Sequence, residues 1–400
     1  MLQINVTPKV SKLIVGLAIL FVASVLHAQG GTWSGASSDG FAGRFDATAS
    51  VVAGKIYVIG GEAVLHDFVS KVEVFDPATN TWSTPSTTGV FTTRGLLSSS
   101  VVRDKIYVMG GFNDVDTQLN TLEVFDCATN TWSTPVTTGA FTPRRGFTSA
   151  VANDKIYVIG GAGNHALVPS IEVFDPVTNK WSTLTATGTF TPRIGLTSCV
   201  IGNKIYTFGG DTTSNNLEVL DPSTGTWNTI ATTGRYTPRK VAATCVLGGN
   251  VYLMGGQTNV DQVEKFDPVT NDWSIAEGLF TPRWGLTASA VGGKIYAIGG
   301  YNSFRTNEVF VPDNAGVSIS SPLPEFTISQ SPTSQVVTVR SVNKRALHVT
   351  LTNLIGETVM EVGQSPPGEV SVDLSRLPSG AYFMRVSSDR STTIRMIIRQ

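Results

Sequence analysis

The sequence predicts an all-β protein, built from a repeated sheet and ending in a smaller β module. Glycine accounts for 40 of the 400 residues and charged residues for only 15%, which is typical of a chain with many turns. One seven-residue segment recurs at a fixed place in each of six units. Self-similarity of this kind indicates an array of one supersecondary unit. The six copies are KIYVIGG (55–61), KIYVMGG (105–111), KIYVIGG (155–161), KIYTFGG (204–210), NVYLMGG (250–256) and KIYAIGG (294–300).

The N-terminal segment has the pattern of an export signal. Lys9 and Lys12 precede an apolar run at 13–26, and Ala28 ends a small-residue cleavage site. The run is too short for a convincing membrane span, so residues 1–28 are predicted to be a signal peptide. An uncleaved anchor is the alternative. We therefore expect a mature chain without a membrane span.

Charge and cysteine content limit the remaining possibilities. The net charge of −1 gives no reason to expect a nucleic-acid partner. Three cysteines in an exported chain, Cys127, Cys199 and Cys245, do not form a disulfide scaffold. Cys199 and Cys245 occupy equivalent positions in adjacent units. Buried free thiols are favoured there, and a disulfide between them stays an open alternative.

Each unit carries a tryptophan, an arginine and a glycine pair at regular spacing. The arginine always stands 16 residues before the first glycine, which predicts a rigid hairpin. The tight turns of these hairpins contain Asn, Asp or Gly, which tolerate a positive φ angle. The tryptophans are Trp33, Trp82, Trp132, Trp181, Trp227 and Trp273, and the arginines are Arg44, Arg94, Arg144, Arg193, Arg239 and Arg283.

The strand that precedes each glycine pair is apolar on both faces, so it must be covered from both sides. A segment such as EVFDP follows as a third strand, and the tryptophan begins a fourth. Four antiparallel strands form a sheet that cannot bury itself, whereas six sheets in a radial array cover one another.

The landmarks Arg, Gly-Gly, Asp and Trp over about residues 31–313 resemble the kelch repeat. That resemblance implies a six-bladed kelch β-propeller, which we assign to residues 29–313. The last unit lacks its tryptophan, and the first tryptophan, Trp33, has nothing before it. The N-terminal strand is therefore predicted to complete the last sheet, with Trp33 near Phe310.

After a Pro/Ser-rich linker at 314–325, residues 326–400 predict a small Ig-like β-sandwich. The segments LTNLIGETVMEV and VDLSRLPSGAYFMRV resemble the C-terminal sorting domain of the type IX (Por) secretion system of Bacteroidetes-type bacteria. The resemblance implies recognition by that machinery and a location outside the cell or on its outer surface. A generic Ig-like module is the alternative. The residues that match the sorting signal are Leu377, Pro378, Ser379, Gly380 and Tyr382.

Loop lengths point to one face of the array as a binding surface. The segment from the first glycine to the aspartate position spans 16, 16 and 15 residues in the first three units and 12 in the others. These loops and the arginine-bearing loops are predicted to emerge on the same face. The arginines either hold an anionic ligand or have a structural role, in which they hydrogen-bond neighbouring loops. The structural role is favoured. The candidate binding residues are Arg44, Arg94, Arg144, Arg145, Arg193, Arg239, Arg283, Trp284, His66 and His165.

Candidate catalytic groups are few, and we predict no metal or cofactor. Asp114 and Asp116 are more typical of an exposed polar loop than of a Ca²⁺ site. The leading hypothesis is an exported binding protein for a glycan or a protein ligand. Exported six-bladed kelch proteins include sialic-acid mutarotases, so a sugar-modifying enzyme of that kind is the alternative. A kelch copper oxidase is disfavoured because histidines are too few.

Overall fold

The structure is a computed structural model of the 400-residue chain. It divides into two compact units, Met1–Asn314 and Ala315–Gln400. The segments predicted as signal peptide (1–28) and linker (314–325) lie outside the described residues. Within the described part, every regular element is a strand, and no helix is long and apolar enough to cross a membrane. The structure describes residues 31–63, 67–164, 166–210, 215–258, 260–276, 278–312, 326–330, 336–341, 348–353, 358–362, 369–378, 380–387 and 392–399.

The described residues of the first unit form six four-stranded antiparallel sheets, numbered here 1 to 6 along the chain. Sheets 1 to 3 consist of β2 (Thr48–Val52), β3 (Lys55–Ile59), β4 (Val72–Asp76) and β5 (Thr81–Ser83); β6 (Ser98–Val102), β7 (Lys105–Met109), β8 (Leu122–Asp126) and β9 (Thr131–Ser133); and β10 (Thr148–Ala152), β11 (Lys155–Ile159), β12 (Glu172–Asp175) and β13 (Lys180–Thr183).

Sheets 4 and 5 repeat the same order, whereas sheet 6 takes its fourth strand, β1, from the start of the described chain. Their strands are β14 (Leu196–Ile201), β15 (Lys204–Gly209), β16 (Glu218–Asp221) and β17 (Thr226–Thr229); β18 (Ala243–Leu247), β19 (Asn250–Met254), β20 (Val263–Asp267) and β21 (Asp272–Ala276); and β22 (Thr287–Val291), β23 (Lys294–Ile298), β24 (Asn307–Pro312) and β1 (Gly31–Gly35).

The first two strands of each sheet form the tight hairpin that the constant spacing predicts. In sheet 1, Val52 pairs with Lys55 across a two-residue turn. The turn residues Ala53 and Gly54 have φ angles of 49° and 75°. Positive φ at both positions gives a turn whose twist matches that of the flanking strands.

The second strand of each sheet is buried on both faces, as its apolar sequence predicts. In β3, the side chains of Ile56, Val58 and Ile59 are buried. Hydrophobic clusters join neighbouring sheets: Val74 of sheet 1 lies in one core cluster with Ile106 of sheet 2. Each sheet therefore depends on its neighbours for burial of its apolar faces.

The tryptophans anchor the outer strands to the middle of each sheet. In sheet 2, the Trp132 ring stacks on Phe91 at 4.6 Å between centroids and meets Phe125 at 4.9 Å. Phe91 stands three residues before Arg94, and equivalent aromatic pairs occur in the other five sheets. Aromatic pairing explains why the tryptophan spacing is so regular.

Sheet 6 closes as the incomplete end motifs predict. β1 pairs antiparallel with β24, and Trp33 lies opposite Phe310. The predicted pairing of the N-terminal strand with the last sheet is confirmed. Since β1 precedes sheet 1 in the chain, this pairing holds the two ends of the repeat array together.

The second unit contains two described sheets around one core. A three-stranded sheet has the order β25-β26-β29, and a four-stranded sheet has the order β28-β27-β30-β31. Val339 and Val372 of the first sheet share a core with Leu351 and Met384 of the second. The strands are β25 (Phe326–Gln330), β26 (Val336–Ser341), β27 (His348–Thr352), β28 (Thr358–Val362), β29 (Glu369–Asp373), β30 (Gly380–Ser387) and β31 (Thr392–Arg399).

The closing strand can be tested by a designed cross-link. Ser34 and Val309 are register partners, and directly opposed residues bring their Cβ atoms to about 5 Å. We expect the pair Ser34→Cys and Val309→Cys to form a disulfide and to raise the Tm. The matched control, Ser34→Cys with Val291→Cys, links the two edges of the same sheet and should stay reduced. Disulfide mapping by mass spectrometry decides, and equal cross-linking in both variants would contradict the observed strand order.

Candidate binding face

The six arginines of the repeat are buried, with exposed fractions between 0% and 7%. Each one forms an ion pair with the glutamate of the third strand in its own sheet. The pairs are Arg44–Glu73, Arg94–Glu123, Arg144–Glu172, Arg193–Glu218, Arg239–Glu264 and Arg283–Glu308.

The surroundings of Arg144 show how many hydrogen bonds such a buried guanidinium makes. It donates hydrogen bonds to the carbonyl of Thr142 at 3.1 Å, to the carbonyl of Gly160 at 3.0 Å and to the Glu172 carboxylate. The other carboxylate oxygen of Glu172 accepts a bond from the Thr142 hydroxyl at 2.8 Å. Burial lowers the pKa of the Arg144 guanidinium, and the Glu172 charge opposes that shift. This geometry favours the structural alternative for the six arginines over ligand binding.

Arg145 differs from the six because its side chain is 30% exposed. Its guanidinium pairs with the exposed carboxylate of Asp116 and lies 4.9 Å from the centroid of the Phe112 ring. Asp114 is exposed in the same loop. Among the predicted binding residues, Arg145 is therefore a cation that a ligand can reach.

An aromatic cluster surrounds Trp284 at the boundary of sheets 6 and 1. The Trp284 ring stacks on Tyr301 with a centroid distance of 4.6 Å and an interplanar angle of 21°. Phe45 meets both rings edge-on at 5.3 Å, and Phe304 meets Tyr301 at 5.5 Å. Tyr301 is 39% exposed and Trp284 is half-buried.

A second aromatic pair continues this surface into sheets 1 and 2. Phe68 meets Phe112 edge-on at 5.3 Å, and both rings are half-buried. Phe45 and Phe68 both form isolated β-bridges with Glu62, which joins the two groups of rings. We call the whole set the aromatic arc: Phe45, Phe68, Phe112, Trp284, Tyr301 and Phe304.

Trp284 is among the predicted binding residues, and Phe45 likewise directly follows an arginine of the repeat, but the sequence analysis did not point to the other four rings. A usable signal was present for Phe112 and Tyr301, which stand directly after the glycine pair. The backbone of that position bridges to the residue after the arginine, as in Trp284 with Tyr301. Comparing the residue after each arginine with the residue after each glycine pair would have indicated that these rings lie side by side.

The remaining candidate groups offer no catalytic constellation in the described residues. His66 and His165 lie outside the part of the chain that the structure describes. Within the described part of the chain, no cluster of three or more His, Cys, Asp or Glu side chains could hold a metal ion. Cys199 and Cys245 are free and buried, and burial raises the pKa of both thiols. Both therefore stay protonated, which makes them poor nucleophiles.

The repeat array matches a known family. Residues 21–210 and 189–300 match the family described as the KLHDC2/KLHL20/DRC7 Kelch-repeats domain. The chain belongs to the kelch-repeat family. Residues 331–400 of this kelch protein match the family described as the secretion system C-terminal sorting domain. Both resemblances drawn from the sequence are confirmed, and the first unit is a kelch β-propeller.

A comparison with curated proteins finds no match to this kelch protein. The sorting domain implies export to the cell surface or the extracellular space. Within that domain, Leu377 is buried in the shared core, and the Tyr382 hydroxyl donates to the carbonyl of Pro378 at 2.7 Å. Gly380 begins β30, and Ser379 lies outside the described residues.

The structural role of the buried arginines can be tested in sheet 3. Arg144→Ala leaves the Glu172 carboxylate buried without its partner, so we expect the free energy of unfolding to fall by about 3–5 kcal/mol. The matched control is Arg145→Ala, one residue on and partly exposed, which should change it by less than about 1 kcal/mol. Thermal and denaturant unfolding measure both. An Arg144→Ala protein of normal stability that had lost a ligand would instead support ligand binding by this arginine.

Proposed function

We propose that the six sheets are the six blades of one closed β-propeller at 29–313. An export signal at 1–28 precedes this propeller, and a linker at 314–325 joins it to an Ig-like sorting domain at 326–400. A circuit of hydrogen bonds between sheets supports closure. The second glycine of each pair donates to the carbonyl of the next sheet's arginine at 2.8–2.9 Å. The circuit ends with Gly300 donating to Arg44, and β2 contacts β22 as it contacts β6.

The propeller acts as a binding protein for a glycan or a protein ligand, displayed on the cell surface or released from it. The observation that carries this proposal is the stacked, solvent-reaching pair of Trp284 and Tyr301. Aromatic rings with a polar edge offer a large, rigid contact area at a small cost in conformational entropy. They are also partly desolvated already, because Phe45 and Phe304 pack around them.

The position of the arc supports a ligand face. Phe112 stands at the start of the long loop of sheet 2 and Phe68 near the end of the long loop of sheet 1, and these loops vary in length among the repeats. The hairpin turns between first and second strands are short and uniform. A scaffold that varies one set of loops and keeps the other constant is typical of a binding surface. Arg145 with Asp116 adds charged groups at the end of the arc.

The mutarotase-like alternative was compatible with arginines that hold an acidic sugar. In the described residues those six guanidinium groups are paired with carboxylates and buried. No observation in the structure favours that enzyme over the binding protein.

The sorting domain is proposed to be the part that the type IX secretion machinery recognises. Its matching segment, with Leu377, Pro378 and Tyr382, is part of the folded domain rather than an extended tail. Leu377 lies in the core, and the Tyr382 hydroxyl donates a hydrogen bond to the carbonyl of Pro378. The propeller is then the exported cargo.

Ligand binding can be tested on a glycan array with the exported chain. We expect Trp284→Ala and Tyr301→Ala each to weaken binding at least about tenfold, since one aromatic anchor contributes on the order of 1.4 kcal/mol or more. Val136→Ala, which removes an exposed apolar side chain outside the arc, is the matched control. Unchanged binding in both aromatic variants, with normal folding by circular dichroism, would exclude the arc as the ligand surface.

Export can be tested in a host that carries type IX secretion. We expect the full chain to reach the cell surface or medium, and a chain that lacks residues 326–400 to accumulate in the periplasm. Fractionation with protease accessibility measures the difference. Surface delivery of the shortened chain at the full-length level would contradict the sorting role, and retention of a correctly folded propeller rules out misfolding as the cause.

A further inference from the structure

A cavity of about 100 Å³ lies where the first strands of the six sheets begin. Every sheet contributes two consecutive residues to its wall, at the second and third positions after the buried arginine. The lining residues are Asp46, Ala47, Leu96, Leu97, Gly146, Phe147, Gly195, Leu196, Val241, Ala242, Gly285 and Leu286.

The cavity is framed by a closed circuit of backbone hydrogen bonds. The residue two after each arginine donates its N–H to the carbonyl of its counterpart in the preceding sheet, at 2.6–3.0 Å. All six residues have positive φ angles, between 47° and 74°. Sheet 1 closes the circuit, because Asp46 donates to Gly285. The members are Asp46, Leu96, Gly146, Gly195, Val241 and Gly285.

Asp46 is the ionisable residue of this wall, whose other side chains are apolar and whose remaining polar atoms belong to the backbone. Its side chain is only 8% exposed, and within the described residues its Oδ1 atom is buried without a hydrogen-bond partner. Gly285 makes room for it, since a Cβ atom at that position would lie 2.5 Å from Oδ1. Burial raises the pKa of the Asp46 carboxyl well above its ordinary value, and the charge of Glu62 raises this pKa further. A buried carboxyl oxygen without a partner requires an explanation.

A hard metal ion is a poor fit for the cavity. Ca²⁺ takes six to eight oxygen ligands, whereas Asp46 alone among the lining residues has an oxygen-bearing side chain, and the backbone carbonyls of the hydrogen-bond circuit already accept hydrogen bonds. Among the described residues, no group of three ligating side chains exists. A cation with its own apolar stem matches both the walls and the carboxyl. Since a cavity of about 150 Å³ holds six carbon atoms, one of this size suits a chain of about four heavy atoms.

We propose that the cavity binds a primary alkylammonium group, with the Asp46 carboxylate as its counter-ion and Leu97, Leu196 and Leu286 around its stem. Two sources share this chemistry: the lysine side chain of a protein partner and a free aliphatic diamine. The proposal concerns the cavity alone and does not depend on the aromatic arc, so failure of either leaves the other standing.

The raised pKa of Asp46 gives the proposal a pH dependence. In the empty protein, the folded state holds the Asp46 proton to a higher pH than the unfolded chain does. Stability therefore falls as the pH rises from about 4, the ordinary aspartate value, through the raised pKa. An ammonium ion prefers the ionised carboxylate, so its binding releases that proton and becomes tighter as the pH rises over the same window.

The experiment measures the Tm of the full mature chain with n-butylamine, 1-butanol or CaCl₂ at pH 5 and pH 7.5. We expect butylammonium to raise the Tm, more at pH 7.5, and 1-butanol to have little effect. Asp46→Asn should weaken butylammonium binding at least tenfold and raise the Tm of the empty protein at pH 7.5. The matched control is Asp39→Asn, an exposed carboxyl, which should behave as the unmodified chain.

Several results would overturn the proposal. Equal stabilisation by 1-butanol would show a merely apolar cavity, and stabilisation by CaCl₂ that Asp46→Asn abolishes would show a metal site. Unchanged butylammonium binding in Asp46→Asn would also refute it. If that variant fails to fold, the pH dependence of butylammonium binding to the unmodified chain still decides, because a pH-independent affinity contradicts a carboxylate counter-ion. Putrescine against Nα-acetyl-lysine methylamide then distinguishes the two sources.

Discussion

The buried pair of arginine and glutamate is the interaction on which the propeller depends. Its side chains join the loop before the first strand to the third strand, as in Arg144 with Glu172. The backbone of the same arginine also serves the neighbouring sheet, since the carbonyl of Arg144 accepts the N–H of Gly111 at 2.9 Å. One residue per repeat therefore holds its own sheet together and joins it to the preceding sheet. Such a buried charge tolerates no missing partner, which explains the strict spacing.

The repeat is regular over most of the array, and it departs from its pattern where sheet 5 meets sheet 6 and at the seam where sheet 6 meets sheet 1. From sheet 1 to sheet 5, hydroxyl groups of the first strands pair between neighbouring sheets, as Thr197 does with Thr244 at 2.7 Å, whereas Ala243 and Ala288 occupy these positions between sheets 5 and 6. At the seam the corresponding residue is Ala49, and the Thr287 hydroxyl oxygen is buried without a partner in the described residues. Asp46 and the stacked Trp284 and Tyr301 lie at the same seam. A position that a regular propeller does not need for stability is free to carry a ligand site.

Much of the fold could be predicted from the sequence, because hairpin turns and apolar strands are local patterns. The pairing of β1 with β24 was predictable for another reason: the incomplete unit at each end of the array supplies what the other lacks. The pairing of each arginine with a glutamate 25–29 residues away was not predicted, because the regular spacing of a residue does not indicate which side chain it contacts. Two of the six rings of the aromatic arc, Phe45 and Trp284, directly follow an arginine of the repeat and were visible in the sequence. Its other rings come from a second loop, and only the bridge between the loops brings them together.

The sequence by itself determined the repeated sheet, the strand that completes the last sheet, and the sorting tail. Each of these depends on residues that are close along the chain or on a motif that recurs. Only the tertiary structure decided which charged groups face solvent. Arg144 and Arg145 are adjacent and chemically identical, yet one is buried against Glu172 and the other is partly exposed beside Asp116. Side-chain exposure depends on what neighbouring sheets place over a residue, and no local pattern encodes that.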